Sequence, residues 1–229
     1  MSAYSELVVR YRYVRELGRR MGRDLMKRLP EEMMDEGGRD LGVLQQGTFV
    51  FDNEEEGALF FDYCLYCVQR ERRNVIQAAL AENLYPEGSD ESAYLRDMNA
   101  AWYSLFLIER VEPDVGIHVK DVIRHTTHLL IDFGFSQSAR PGKLMASRVV
   151  PQDGFIMTTG ASLPLSDAMA AGNRALSRIV RKYWNKNSRS RVLSFELEKY
   201  LAKSIIFAAV HSGLTRHVRY RDPGEPIER

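Results

Sequence analysis

Residues 144–159 have the sequence LMASRVVPQDGFIMTT, and this stretch predicts two strands joined by a tight turn. Residues 144–150 and 155–159 are rich in apolar and β-branched side chains, as expected of strands. Between them, Pro151, Asp153 and Gly154 are residue types that favour a turn. The stretch therefore predicts an antiparallel hairpin, and it places β structure in the middle of the chain.

Further short strands are predicted on the N-terminal side of this hairpin. The run Leu105-Phe106-Leu107-Ile108 is apolar and is ended by Glu112-Pro113-Asp114. Apolar residues then alternate with polar ones in two runs, at Ile117, Val119 and Ile123 and at Leu129, Ile131, Phe133 and Phe135. Several short strands separated by turns predict an antiparallel β module at residues 104–162, folded as a small SH3-like barrel or a meander.

Helical patterns flank this module on both sides. Residues 4–28 carry an amphipathic stripe, residues 31–44 form an acidic helix broken near Gly37-Gly38, a long helix follows Asp52 or Asn53 as far as residue 84, and another spans 89–103. After the module, helices are predicted at 166–185 and 194–211. The fold class is α+β, with a mainly helical region at 1–103, the β module at 104–162, C-terminal helices at 163–220 and a flexible tail at 221–229.

Composition and charge exclude several classes of protein. Hydrophobic residues make up 45% of the chain, which is enough for a core. The longest apolar run, at residues 205–210, is far shorter than the roughly 20 residues that cross a bilayer. The formal net charge is +1, so overall charge favours neither nucleic acid nor a membrane surface. With two cysteines and no apolar leader segment, the sequence predicts a cytoplasmic protein without membrane contact.

The two cysteines, Cys64 and Cys67, lie inside a predicted helix. A structural zinc site usually takes four ligands, and the sequence contains no second cysteine pair. A redox dithiol works best at a helix N-terminus, whereas these residues lie about ten residues further along. We therefore interpret both as buried core side chains.

A group of polar residues in the β module has the composition of a metal or catalytic site: His118, Asp121, His125, His128 and Asp132. Strand register argues against it. If the apolar residues share one face, Val119 lies opposite Ile131, Arg124-His125-Thr126 forms the turn, His118 faces Asp132 and His128 faces Val122. Four residues along a strand span roughly 13 Å, which is too far for two histidines to share an ion through bonds of about 2 Å. The group is kept as an alternative polar site, without a metal.

Two basic segments are candidate surfaces for nucleic acid or a protein partner. The first covers the arc of the N-terminal helix opposite its apolar stripe and comprises Arg12, Arg15, Arg19 and Arg23. The second includes two aromatic residues and no acidic one, and comprises Arg174, Arg178, Arg181, Lys182, Tyr183, Trp184, Lys186, Arg189 and Arg191. Arginines beside exposed aromatics grip phosphates and stack on bases. The alternative is a solvated face, or pairing with the acidic residues between 31 and 56.

No motif in the sequence specifies a reaction. There is no phosphate-binding loop, dinucleotide fingerprint, nucleophile elbow or zinc-protease motif. Asp132-Phe133-Gly134 matches a kinase tripeptide, but no glycine-rich loop or catalytic-loop motif precedes it. We therefore predict no catalytic residue, no metal ligand and no cofactor.

Four stretches together resemble an uncharacterised family of bacterial proteins: Leu29-Pro30, GTFVFD at 47–52, Ser104-Leu105-Phe106 and PQDGFIMTTG at 151–160. Some members of that family carry a C-terminal SEC-C zinc motif. No cysteine follows Cys67 here, so that zinc motif is absent. The resemblance implies a bacterial cytosolic setting and carries over no functional residues.

The leading functional hypothesis is a non-enzymatic binding or adaptor protein, whose partner is another protein or a nucleic acid held by the basic helical faces. One alternative is a metal-dependent, hydrolase-type enzyme that uses the region of His118, His125 and His128. Another is a structural subunit of a larger complex. Self-association into a homo-oligomer is also left open.

Overall fold

A computed structural model of the chain describes residues 3–133, 139–165, 192–213 and Thr215. The helices in this part of the chain are α1 (Ala3–Met26), α2 (Glu31–Leu41), α3 (Glu54–Cys67), α4 (Val75–Ala81), α5 (Asp90–Asn99) and α6 (Phe195–His211). The strands are β1 (Leu44–Gln45), β2 (Thr48–Phe49), β3 (Trp102–Glu112), β4 (Gly116–Asp121), β5 (Thr127–Leu130), β6 (Leu144–Gln152) and β7 (Phe155–Leu165). None of these helices has an apolar stretch long enough to span a bilayer.

Strands β3 to β7 form a closed barrel in the order β3-β4-β5-β7-β6, and β6 pairs with β3 to close it. All neighbouring pairs are antiparallel except β5 and β7, which run parallel where Leu130 pairs with Ile156. A five-stranded Greek-key barrel in which the third and fifth strands are parallel has the connectivity of the OB fold. The predicted α+β class, with helices at both ends and a small barrel in the middle, is confirmed.

The first half of β3 and most of β6 are buried on both faces, which explains their nearly continuous apolar sequence. Side chains such as Phe106, Val119 and Met145 fill the barrel interior. Their neighbours Leu105 and Ala146 point outward and join the second core, which the barrel shares with the helices. A strand covered on both sides loses the polar alternation of a half-exposed strand. Residues 144–150 therefore carry a strong β signal.

The single long helix predicted after Asn53 is two helices, α3 and α4. Arg70 and Arg73 exchange two backbone hydrogen bonds of 2.9 and 3.0 Å around a tight turn between them. Asn74 then starts α4 with a capping box, in which it and Gln77 each accept a hydrogen bond from the other's backbone N–H. This local capping competes successfully with continuation of the helix.

Helix α2 continues through Gly37 and Gly38, so the predicted break there is wrong. Both glycines are buried, and each lets another part of the chain approach the helix closely. A Cβ atom on Gly37 would overlap the Cys64 Sγ atom of α3, and one on Gly38 would lie 2.6 Å from the Phe49 ring. The two glycines are therefore selected by packing rather than by a helix end.

Replacing Gly37 with alanine is expected to destabilise the protein, and the effect should depend on Cys64. The overlap with Sγ should cost about 1–3 kcal/mol, of which the better helix propensity of alanine offsets up to about 1 kcal/mol. In a Cys64→Ala background the overlap is gone, so the same substitution should be neutral or stabilising. Chemical denaturation of the wild type, the two single variants and the double variant measures this, and an equal loss in both backgrounds would contradict the packing described.

The predicted register of β4 against β5 is wrong. Val119 pairs with His128 rather than with Ile131, and His118 pairs with Leu129 rather than with Asp132. The prediction assumed that Ile131 shares the barrel face of Val119. Ile131 instead lies beyond the end of β5 and is buried in the core shared with the helices. Because an apolar residue can be buried either inside the barrel or in the core shared with the helices, its hydrophobicity alone does not determine the strand register.

A buried ionic cluster ties the barrel to the helices. Arg148 on β6 is 2% exposed, and its guanidinium donates to Asp62 at 3.1 Å, Glu198 at 2.7 Å and Cys67 Sγ at 3.0 Å. It also lies 4.5 Å from the centre of the Tyr66 ring. Burial by itself lowers the pKa of Arg148, but Cys67, Asp62 and Glu198 together raise it well above the usual value. The side chain stays charged, and it joins β6 to α3 and α6.

Candidate functional site

The barrel side formed by β4 and β5 carries most of the polar residues that the sequence singles out. The described helices pack mainly on the other strands: α1 and α3 on β7, α5 on β6 and α6 on β3. His118 lies on β4, Asp121 ends that strand, and His125 and His128 lie in and after the turn that follows. We call this region, from β4 through the turn to β5, the hairpin side of the barrel.

Asp121 organises the tip of this hairpin from a fully buried position. One carboxylate oxygen accepts hydrogen bonds from Ser104 Oγ at 2.7 Å and from the backbone N–H groups of Ile123 at 2.9 Å and Arg124 at 2.8 Å. The other accepts from the Trp102 indole N–H at 2.9 Å. With these donors satisfied, Asp121 acts as a structural acceptor that fixes the turn and the tryptophan together.

Above Asp121, three side chains stack at the mouth of the barrel. The Arg124 guanidinium lies 4.5 Å from the centre of the Trp102 ring, and the His128 ring lies 5.6 Å from it at an angle of 54°. His128 Nε2 is also 2.8 Å from Thr126 Oγ1. A cation on an aromatic face is a favourable contact. Trp102 is only 7% exposed, so the surface that this stack offers to a planar ligand is formed by the half-buried Arg124 and His128 side chains.

His128 is kept neutral by its position in this stack. Burial lowers its pKa below the usual value of 6.5, Asp121 opposes the shift, and Arg124 adds to it. A neutral imidazole near pH 7 presents one donor and one acceptor and no positive charge. The charge at the barrel mouth therefore comes from arginine.

The lowered pKa of His128 predicts a pH effect on stability. The unfolded chain takes up its proton near pH 6.5, whereas the folded chain does so only at lower pH. Stability from this group is thus complete above pH 6.5 and falls as the pH drops through the folded pKa. The free energy of unfolding should be measured at pH 7 and at pH 5. Between these two pH values it should fall less for His128→Gln than for the wild type. Equal losses would show that the stack does not disfavour the charged imidazole.

The remaining predicted polar residues lie apart from the stack. His118 Nε2 is 2.8 Å from the Arg110 guanidinium and 3.6 Å from the Glu112 carboxylate, on the outer face of β4. Asp132 accepts a hydrogen bond from Thr158 Oγ1 at 2.9 Å, toward β7. Within the described residues, no three His, Cys, Asp or Glu side chains are grouped so that they could hold a metal ion.

Cys64 and Cys67 lie in the core as reduced thiols. Burial raises the pKa of Cys67 to about 12, with Arg148 opposing the shift, and burial also raises the pKa of Cys64. Thiols with such pKa values stay protonated near neutral pH and are poor nucleophiles. Their arrangement agrees with a packing role.

The arginines of α1 divide between solvent and the barrel. Arg15 is half-buried and donates to the Thr158 carbonyl on β7 at 2.7 Å, and Arg19 is also half-buried. Arg12 is exposed, with its guanidinium 5.5 Å from the centre of the Phe133 ring, and Arg23 is exposed. Part of the predicted basic face thus serves to attach α1 to the barrel. The second basic segment, from Arg174 to Arg191, lies outside the described residues.

The sequence prediction assigned neither Arg124 nor Trp102 to a site, and it placed Trp102 in a helix. The predicted helix at 89–103 contained it, but α5 ends at Asn99 and β3 begins at Trp102. The available signal was its position directly before the apolar β run that starts at Leu105. A strand extended backward by alternation would have placed Trp102 and Ser104 on one face, together with Phe106.

Comparison with known proteins identifies a family but no characterised relative. Neither the curated proteins nor the solved structures include a significant match to the chain. A family of unknown function, DUF7986, matches residues 5–195, which include the N-terminal helices and the whole barrel. The chain therefore belongs to the DUF7986 family.

Proposed function

We propose that this chain is a non-enzymatic binding protein that holds single-stranded nucleic acid on the hairpin side of its barrel. The observation that carries the proposal is the stack of Arg124, Trp102 and His128 at the barrel mouth, held in place by buried Asp121. Bases stack on aromatic and guanidinium surfaces of this kind, and phosphates bind arginine and lysine.

The position of the stack supports this function. In OB-type barrels, oligonucleotides lie across the second and third strands, and β4 and β5 are the corresponding strands here. Lys120 is exposed on β4, one residue before Asp121, so a cation lies on the outer face of the same hairpin. The relation to OB-type barrels is an analogy, and the site is inferred from these side chains.

Lys120 and Arg124 give this function a direct test. Fluorescence anisotropy should measure binding of a labelled 15-nucleotide oligo(dT) to the full chain at several salt concentrations. Lys120→Gln and Arg124→Gln should each weaken binding several-fold. Loss of one phosphate contact should make the slope of log K against log salt shallower by about 0.7, the value for single strands.

Lys27→Gln is the matched control, because Lys27 is an exposed lysine near the end of α1 whose only described ion pair is with Asp24. It should bind the oligonucleotide as the wild type does. The proposal is wrong if the wild-type chain does not bind the oligonucleotide at low salt. It is also wrong if the control weakens binding as much as the two barrel variants do.

A further inference from the structure

A half-open pocket on the helical side of the molecule has a volume of about 580 Å3. It lies between the end of α1, the start of α2 and the α3–α4 turn, and therefore away from the barrel. Its apolar lining includes Pro30, Met33, Val75 and Ala78. The volume falls within the roughly 300–1,000 Å3 of pockets that hold small organic ligands.

Three arginines line this pocket: Arg28, Arg70 and Arg73. Arg28 is bonded to Glu82, and Arg70 lies 4.0 Å from Glu32. No carboxylate of the described residues lies within ion-pair distance of Arg73. Glu71 and Glu82 are the acidic lining residues, and together with Glu32 they balance the three arginine charges, but Arg73 is the lining arginine without a carboxylate partner among the described residues.

The turn that presents Arg70 and Arg73 is held in an uncommon backbone conformation. Glu71 and Arg72 have φ angles of +52° and +66°, in the left-handed region that side-chain-bearing residues rarely adopt. The two backbone hydrogen bonds between Arg70 and Arg73 close the turn. The rim arginines therefore start from a fixed backbone, which lowers the entropy cost of ordering them around a ligand.

We propose that this pocket binds a small organic anion, with an apolar or aromatic body on Met33, Val75 and Ala78 and a phosphate, carboxylate or sulfonate group at Arg73 and Arg70. The apolar lining and the unpaired cation each recognise one half of such a molecule. Guanidinium groups bind oxyanions through paired N–H donors, which makes arginine well suited to this position. The site is independent of the barrel and of the binding proposed there.

Two related fluorescent probes separate the contributions of the apolar body and the charge. 8-Anilino-1-naphthalenesulfonate carries an anion on an aromatic body, and N-phenyl-1-naphthylamine is the same body without the anion. The full chain should bind the sulfonate saturably at one site and at least about tenfold more tightly than the neutral probe, a difference of roughly 1.4 kcal/mol. Inorganic phosphate should compete with the sulfonate only at high concentration.

Arg73→Gln and Arg70→Gln should each weaken binding of the sulfonate by about tenfold and leave binding of the neutral probe unchanged. Arg72→Asn is the matched control, because Arg72 belongs to the same turn, does not line the pocket, and asparagine tolerates its left-handed backbone. It should leave both affinities unchanged. Thermal unfolding of each variant checks that the fold is intact.

Equal affinity of the wild type for the two probes would overturn the proposal. Unchanged sulfonate binding in both Arg73→Gln and Arg70→Gln would do the same, because the anion would then bind elsewhere. Oligonucleotide binding should be unaffected by these variants, so failure of the pocket is distinguishable from failure of the barrel site.

Discussion

Replacing Arg148 with methionine is expected to lower the free energy of unfolding by about 3–5 kcal/mol, the range measured when one partner of a buried ionic cluster is removed. The substitution keeps much of the side-chain volume but removes the cation that contacts Asp62, Glu198 and Cys67. Asp62 is then left buried with its charge uncompensated, and one of its oxygens already lacks a hydrogen-bond partner among the described residues.

The loss at Arg148 should be strongly non-additive with changes at its partners. Adding Asp62→Asn and Glu198→Gln to Arg148→Met removes the stranded charges, so part of the lost stability should return. Arg39→Met is the control, since its exposed pair with Asp35 on α2 is a surface ion pair worth less than about 1 kcal/mol. Denaturant unfolding measures all four proteins. A loss for Arg148→Met no larger than that for Arg39→Met would show that the cluster does not hold the barrel on the helices.

Replacing Asp121 with alanine should cost about 3–5 kcal/mol, because four donors lose their acceptor inside the protein. Asp121→Asn should cost less, roughly 1–3 kcal/mol. An asparagine keeps one oxygen for Ser104 and the turn backbone, but its amide N–H2 faces the Trp102 indole N–H, where two donors meet. Near-ultraviolet circular dichroism should report the altered environment of Trp102.

Asp114→Asn is the control for the Asp121 variants. Asp114 is an exposed acid in the β3–β4 turn, and its φ of +58° is one that asparagine adopts readily. It should unfold like the wild type. If Asp121→Ala were as stable as this control, the turn and the stack above it would not depend on the carboxylate.

The sequence predicts the positions of the helices and strands better than it predicts how the strands pair. Helix ends with a capping residue are located well, as Ser194 shows at the start of α6 and Ser89 at the start of α5. The strands β6 and β7 are also predicted, because two-sided burial gives an apolar run, but the turn between them is only Asp153-Gly154, since Pro151 and Gln152 belong to β6. A small barrel is predicted, but its strand order is not, since the prediction is all antiparallel and β5 pairs in parallel with β7.

The candidate site is predicted only in part. The sequence draws attention to Asp121 and His128, but the assumed register pairs the wrong residues, because Ile131 belongs to the outer core. Trp102 is hidden by the helical pattern that precedes it. Arg148 is a charged residue within a strand, and the sequence around it does not indicate its partners. These lie 86 residues away on α3 and 50 residues away on α6.

The indole N–H signal of Trp102 gives the most direct test of binding on the hairpin side. In a nitrogen-15 correlation spectrum of the full chain, a Trp184→Phe variant identifies this signal, because Trp102 and Trp184 are the two tryptophans of the chain. Titration with an eight-nucleotide oligo(dT) should shift it, together with the amide signals of Lys120, Arg124 and His128. An oligonucleotide that binds while these signals stay fixed, and shifts only signals of the helices, would contradict the proposed site.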